Sequence, residues 1–276
     1  MAEVVSFRKD GAKDEHGIVL SSLKDQVLRL TLNNPPANTL SIAMKQALSD
    51  RLDRAEADSE VHVIIIAASG AVFSAGHDLK ELTAHRADED GGRAFFDTTF
   101  RLAGELMMKI TRLSKPVIAE IDGLATAAGC QLVASCDLAI CTDTSTFCTP
   151  GVNIGLFCST PAVAVSRAAH RKQAMEMLLT GETIDASTAK DFGLVNRIVP
   201  KQYLTQVVQK YASVIASKSP LTLKIGKQAF YRQAEMSLED AYDYAAGVMV
   251  ENMLTKDAEE GIGAFLGKRR AEWTGE

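Results

Sequence analysis

Residues 71–80 read AVFSAGHDLK, and residues 117–131 read VIAEIDGLATAAGCQ. Each is an apolar run that enters a turn of small residues and leaves as a helix-like stretch. Units of this kind each leave an apolar face, so a chain that repeats them is pushed toward a stacked α/β core. The small residues have a second consequence. They let backbone N–H groups come close to a ligand, and a helix N-terminus points the positive end of its dipole at the same place. Two such turns set face to face can hold one developing oxyanion between two backbone donors.

The same beat recurs along the chain. Val27–Leu32 reads as a strand, and the NNPPAN that follows carries prolines that forbid regular structure. Ser41 should cap a helix through about Ala57, with Met44, Ala47, Leu48 and Leu52 on its apolar face. Val61–Ala67 is a short continuous apolar run, as expected of a strand buried on both faces. The charged stretch from Leu79 to Gly92 reads as mobile, and Phe95–Leu113 has helical period. Strand, turn and helix return at Pro116–Ala134 and again from Leu138 to Ala169. Beyond Pro200 strand signals fade, and helices are expected near Tyr203–Lys218, Pro220–Ala234, Leu238–Asn252 and Asp257–Arg269. This gives an α/β core over residues 18–200 and a helical region over 201–276, with residues 1–17 as a solvated arm.

Bulk properties exclude several classes. The 276 residues suffice for a large core, and 46% hydrophobic with 24% charged is ordinary for a globular chain. A net charge of −5 gives no general attraction to nucleic acid or anionic lipid. No apolar run approaches the roughly 18 residues needed to span a bilayer, and the acid-containing N-terminus is neither a signal nor a transit peptide. The five cysteines, Cys130, Cys136, Cys141, Cys148 and Cys158, crowd one interior stretch without zinc-finger spacing. They read as free, buried or pocket-lining thiols, with no metal site.

Four blocks resemble the crotonase (enoyl-CoA hydratase/isomerase) superfamily: NPPANTLS at 34–41, FSAGHDLKEL at 73–82, DGLATAAGCQLVASCDLAI at 122–140 and MLLTGETIDASTAKDFGLVNRIVP at 177–200. The tail EEGIGAFLGKRRAEW also fits. GHDLKEL, AAGCQLVASCD and TPGVNIGLFCSTP are most similar to the branch called enoyl-CoA hydratase domain-containing protein 3. The resemblance implies a crotonase-like spiral of strand–strand–helix units, a helical C-terminal region that mediates trimerisation, and an acyl-CoA substrate with no further cofactor. It also implies a homotrimer or dimer of trimers, and a cytoplasmic place in a bacterium or the mitochondrial matrix in a eukaryote. By the same resemblance the thioester oxygen is held by the backbone N–H groups of His77 and Ala128. Pro36, Ala37, Ala75, Asp78, Leu79 and Lys80 line the coenzyme path, and Phe265 and Lys268 reach it from the tail, often on an adjacent subunit. Asp78 also reads as the cap of the following helix, and Asp137 as a structural position.

The chain departs from the family where hydration chemistry sits. Adding water to an enoyl thioester needs carboxylates to move protons, and the two glutamate positions are Gln131 and Gly151 here. A third position, which carries aspartate in some relatives, is Ser159. Glutamine can orient a water but cannot accept its proton, and glycine can do neither. The expected activity is therefore that of a hydratase-like lyase or isomerase working through a thioester enolate, with weak hydration. Restoring Gln131→Glu together with Gly151→Glu should raise hydration if the pocket is otherwise intact. The alternative reading is a non-catalytic acyl-CoA binder. RNA binding, known in one relative through a lysine-rich helix, is disfavoured because SIAMKQALSDRLDRAEADSE holds more acids than bases.

Overall fold

A computed structural model describes residues 17–276, so the arm expected over residues 1–17 lies outside the described residues but for Gly17. The chain opens with an antiparallel hairpin, β1 (Val19–Lys24) and β2 (Val27–Leu32), followed by α1 (Ile42–Ala57). Three turns of a spiral follow, each a long strand, a short strand and a helical segment. The first is β3 (Val63–Ala68), β4 (Val72–Ser74), α2 (Leu79–Ala84) and α3 (Arg93–Arg112). The second is β5 (Val117–Ile121), β6 (Leu124–Thr126) and α4 (Ala128–Ser135). The third is β7 (Leu138–Thr142), β8 (Thr146–Cys148), a 3-10 turn at Pro150–Ile154 and α5 (Ser159–Ala168). Then α6 (Arg171–Thr180), β9 (Ile184–Asp185), α7 (Ala186–Asp191) and β10 (Arg197–Val199) close the core.

The long strands form one sheet in the order β1-β2-β3-β5-β7-β10, parallel from β2 onward. The short strands form a second sheet, β4-β6-β8-β9. The apolar run of β3 shows why the first sheet is sandwiched. Side chains alternate across a strand, so Ile64 and Ile66 enter the main core while Val63, Ile65 and Ala67 enter a second cluster. That second cluster is completed by Leu204, Val208, Ala212 and Ala216 of α8 (Leu204–Ala216). Each fully buried aliphatic side chain contributes roughly 1.5–3 kcal/mol.

Local signals set the helix starts. Ser41 accepts the Met44 N–H at 3.2 Å and begins α1. Asp78 accepts the N–H groups of Lys80 and Glu81 at 2.9 and 3.2 Å and begins α2. The stretch expected to be mobile, Leu79 to Gly92, instead holds α2 and a 3-10 turn at His85–Ala87. His85 stacks on Phe95 with 3.6 Å between ring centroids and bonds Asp88 at 2.8 Å. High charge there marks an exposed face, not an absence of structure.

Three further helices complete the chain: α9 (Pro220–Gln233), α10 (Leu238–Met253) and α11 (Lys256–Leu266). A polar anchor ties α9 to the core. Lys227 Nζ donates to Asp137 Oδ2 at 2.7 Å and to the Ile110 and Lys115 carbonyls, each at 2.9 Å. Tyr231 donates to Asp137 Oδ1 at 2.9 Å, and the Val117 N–H donates to Oδ2 at 2.7 Å. Apart from this anchor the layer is open. As a whole residue none in α9 or α10 is buried, although the Lys227 side chain is covered, and Phe230, Leu238, Tyr242, Leu254 and Leu266 are exposed.

The anchor is testable. Asp137→Ala strands Lys227, whose side chain is only 6% exposed, as an unpaired buried cation. The expected loss is about 3–5 kcal/mol by denaturant titration. Asp137→Asn, which keeps an acceptor oxygen, should lose less.

Candidate functional site

The two small-residue turns meet. Gly76 has φ +79°, and a Cβ placed on it would lie 2.8 Å from the Ala128 nitrogen and 3.0 Å from Ala127 Cβ. One residue further, a Cβ on Gly129 would lie 2.2 Å from the Ser74 carbonyl oxygen. Only glycines permit this contact between the end of β4 and the start of α4. The NPPAN turn is stitched to the same place. The Ala75 N–H donates to the Ala37 carbonyl at 2.9 Å, the Leu40 N–H to the Gly76 carbonyl at 2.7 Å, and the Thr39 hydroxyl to Asp78 at 3.2 Å.

Two backbone donors are left over at this junction. Among the described residues, neither the His77 N–H nor the Ala128 N–H has a protein acceptor. Ala128 is the first residue of α4, where helix geometry leaves N–H groups unpaired. It is presented by Ala127, whose φ of 50° and ψ of −119° lie outside the regions open to side-chain-bearing residues. Strain of this kind costs about 1–3 kcal/mol and gathers at working sites. An oxygen that enters between the two amides would find both donors already in place, which suits a charge that grows during reaction.

Other expected residues sort as follows. Gln131, one helical turn beyond Ala128, is buried, and its Oε1 has no hydrogen-bond partner. Gly151 is buried in the 3-10 turn after β8, while Ser159 is exposed at the start of α5. Asp78, Leu79 and Lys80 follow His77 into α2, with Leu79 and Lys80 exposed, and Pro36 is exposed in the NPPAN turn. Phe265 and Lys268 are exposed on the C-terminal layer, where α11 packs on α9 and α10.

The expectation that Gly151→Glu would restore a second carboxylate needs correction. A Cβ on Gly151 would lie 2.5 Å from the Leu156 carbonyl oxygen and 2.8 Å from Cys158 Sγ. The turn has folded into the space of the missing side chain, and its backbone would have to move. All five cysteines are free and buried. Burial pushes the Cys130 and Cys158 thiols up, with neighbouring thiols adding to it and the Gly151 N–H opposing it at Cys158. They stay protonated and are poor nucleophiles.

A lysine escaped the sequence reading. Lys45 of α1 is fully buried, and its Nζ donates to the Thr99 carbonyl of α3 at 2.9 Å. Burial lowers its pKa to about 8, opposed by the Glu81 charge. Burial also lowers the His77 ring to about 4, helped by the Lys45 charge and opposed by the Leu40 backbone. The ring packs edge-on against Phe100 at 5.2 Å, and neither ring nitrogen is hydrogen-bonded. The signal was present: Lys45 falls on the helical stripe of Leu48 and Leu52.

A wide cleft lies elsewhere. It is about 900 Å³ and is bounded by Glu56, His62, Lys115, Lys224 and Trp273, with none of the turn residues in its walls. No group of side chains suited to a metal ion occurs among the described residues, and no helix there is long and apolar enough to cross a membrane.

Comparison with known proteins shows the family. A model of the family described as enoyl-CoA hydratase/isomerase matches residues 22–276. The rat mitochondrial enoyl-CoA hydratase domain-containing protein 3 is 46% identical over 271 residues, covering 98% of this chain and 88% of the relative. The crystal structure of its human counterpart superposes with a TM-score of 0.88 at 44% identity, covering 93% of this chain and 100% of that one. A Mycobacterium smegmatis enoyl-CoA hydratase structure gives a TM-score of 0.89 at 45% identity, covering 94% of this chain and 99% of that one.

The buried lysine generates a stability prediction. Its folded pKa of about 8 lies below the 10.5 of an unburied lysine, so the folded state opposes its charge at neutral pH. Stability should therefore rise as pH increases from about 8 to 10.5. Lys45→Met should remove that rise and be more stable at pH 7, by as much as about 3 kcal/mol. Urea titrations of both proteins at neutral and alkaline pH check this.

Proposed function

This chain belongs to the enoyl-CoA hydratase/isomerase family, and from that membership we propose that it processes acyl-CoA thioesters through an enolate. The observation that carries the proposal is the pair of unpartnered amides, His77 and Ala128, on turns that abut through Gly76. The thioester oxygen sits between them. As its α-carbon gives up a proton to solvent water, the C–H electron pair moves into the enolate and charge onto that oxygen, and each backbone donor is worth roughly 10²–10³ in rate. The coenzyme runs past Pro36, Ala37, Ala75, Asp78, Leu79 and Lys80, and acyl-CoA is the substrate with no separate cofactor.

Hydration is weak in this reading. Gln131 offers a buried acceptor oxygen that a water can meet, but no base. Gly151 offers nothing, and Cys158 fills its space. The same packing supports a second reading, an acyl-CoA binder that has lost turnover. A folded protein that binds butyryl-CoA yet exchanges none of its α-hydrogens would decide for that reading.

The exposed apolar face of α9–α11 supports self-association as a trimer or dimer of trimers, with Phe265 and Lys268 carried toward a neighbour's coenzyme. In a eukaryotic cell the proposed place is the mitochondrial matrix, where the rat relative is assigned, and in a bacterium the cytoplasm. Sedimentation at micromolar concentration should give the trimer mass or twice it. A monodisperse monomer would count heavily against this assembly.

Turnover is tested with two substrates. The wild-type chain should bind butyryl-CoA and exchange its α-hydrogens in deuterated water. It should hydrate crotonyl-CoA at least about 10²-fold more slowly than a two-glutamate relative. Gln131→Glu, nearly isosteric, should raise exchange by up to about 10²–10⁴. Hydration at full family rates, or a folded protein that binds no acyl-CoA, would sink the proposal.

A further inference from the structure

The inward face of α1 carries Met44, Leu48 and Leu52, each fully buried, and with them Lys45. A buried ammonium is costly unless it is well paired. This one is not. Its hydrogen bond goes to the Thr99 carbonyl, an oxygen inside α3 that the helix can serve without it. No carboxylate among the described residues lies within ion-pair distance of it. Glu81, whose charge acts on it, instead accepts the Ile42 N–H at 3.2 Å.

The groups around Lys45 are also unsatisfied. Thr99 Oγ1 and both ring nitrogens of His77 are buried without partners. Lys45 and His77 meet the same turn of α3, the first through the Thr99 carbonyl and the second through the Phe100 ring. His77 in turn supplies one of the two free amides. The contrast with Lys227 is instructive, since that buried lysine has a carboxylate and two carbonyls. Stability alone would favour an apolar residue at position 45.

We propose that Lys45 is a positioning residue: a buried cation behind His77 whose charge stabilises negative charge on the thioester oxygen held by the His77 and Ala128 amides. The inference rests on the acyl-CoA reading above and deepens it. A cation in a poorly screened interior acts over several ångströms. It favours the state in which the oxygen is most negative, so it works on the reaction more than on binding. It also makes the site sensitive to alkaline pH.

The groups that face Lys45 set that sensitivity. From α2 the charged group is Glu81, which holds the lysine's proton on. Asp78 is turned to its own helix N–H groups and to Thr39. From the first turn it is His77, which titrates near 4. From α3 it is Thr99, which does not titrate. The thiols of Cys130 in α4 and of Cys158 at the start of α5 are pushed up by burial, out of the neutral range.

The test reads the bound carbonyl directly and needs no turnover. Butyryl-CoA labelled with ¹³C at the thioester carbonyl is bound to the full-length chain, and its infrared stretch is followed against pH. The wild-type stretch should be lowered at pH 7 and should recover part of that shift as pH rises through about 8. Glu81→Gln should move the midpoint to lower pH, which identifies the lysine as the titrating group. In Lys45→Met the stretch should stay at the high-pH position throughout, and α-hydrogen exchange should fall on the order of tenfold while affinity changes less. If Lys45→Met fails to fold, the wild-type and Glu81→Gln titrations decide. A bound carbonyl that is pH-independent and identical in Lys45→Met overturns this inference alone. A folded protein that binds no labelled thioester overturns the acyl-CoA reading and this inference with it.

Discussion

The spiral depends on a close approach of backbones at its corners. Gly123 sits where a Cβ would lie 2.0 Å from the Ala71 carbonyl oxygen, and Gly129 where one would lie 2.2 Å from that of Ser74. These contacts hold successive turns of the spiral in register, so the short strands β4, β6 and β8 can pair beside the long ones. They also press the start of α4 against the end of β4, which is how two amides distant in sequence come to share one small volume. The strain at Ala127 is the local cost of that arrangement, carried by a core whose β3 side chains are buried on both faces.

Buried charge divides into two kinds in this molecule. Asp137, Lys227 and Tyr231 form a closed set with carbonyl and amide partners, and their work is to fasten α9 to the sheet. Arg29, Glu120 and Thr205 do the same beside α8, with bonds of 2.6–2.9 Å. Lys45, His77 and Thr99 are different, because their polar atoms remain short of partners after folding is complete. Unsatisfied groups cost stability, and here they lie against the turn that carries one of the two free amides.

Gln131 and Gly151 show another contrast. Gln131 keeps the outline of a glutamate and leaves its oxygen unpaired, so that position remains open to chemistry. Gly151 does not, because Leu156 and Cys158 have closed over it. Neither Gln131 nor Gly151 carries a base, which is why the proposed chemistry is assigned to the His77 and Ala128 backbone donors.

The sequence by itself determined the elements and their order. Apolar period and capping residues placed α1, α3, β2 and β3 within a few residues, because both signals are local and one-dimensional, whereas β1, α2 and the short closing strands β9 and β10 were not read from the sequence. Its motifs, through their resemblance to a known family, pointed to His77 and Ala128 and to Gln131 and Gly151, because such a resemblance is carried by residue identity at matched positions. Tertiary structure decided the rest. Whether Gly151 is an empty place or a filled one depends on a loop that returns at Leu156 and Cys158. Whether Lys45 is a surface charge or a buried one depends on α3 lying across α1. Sequence pattern records which face of an element is apolar, whereas the atoms that cover that face arrive from elsewhere in the chain, and only their approach sets burial, strain and charge.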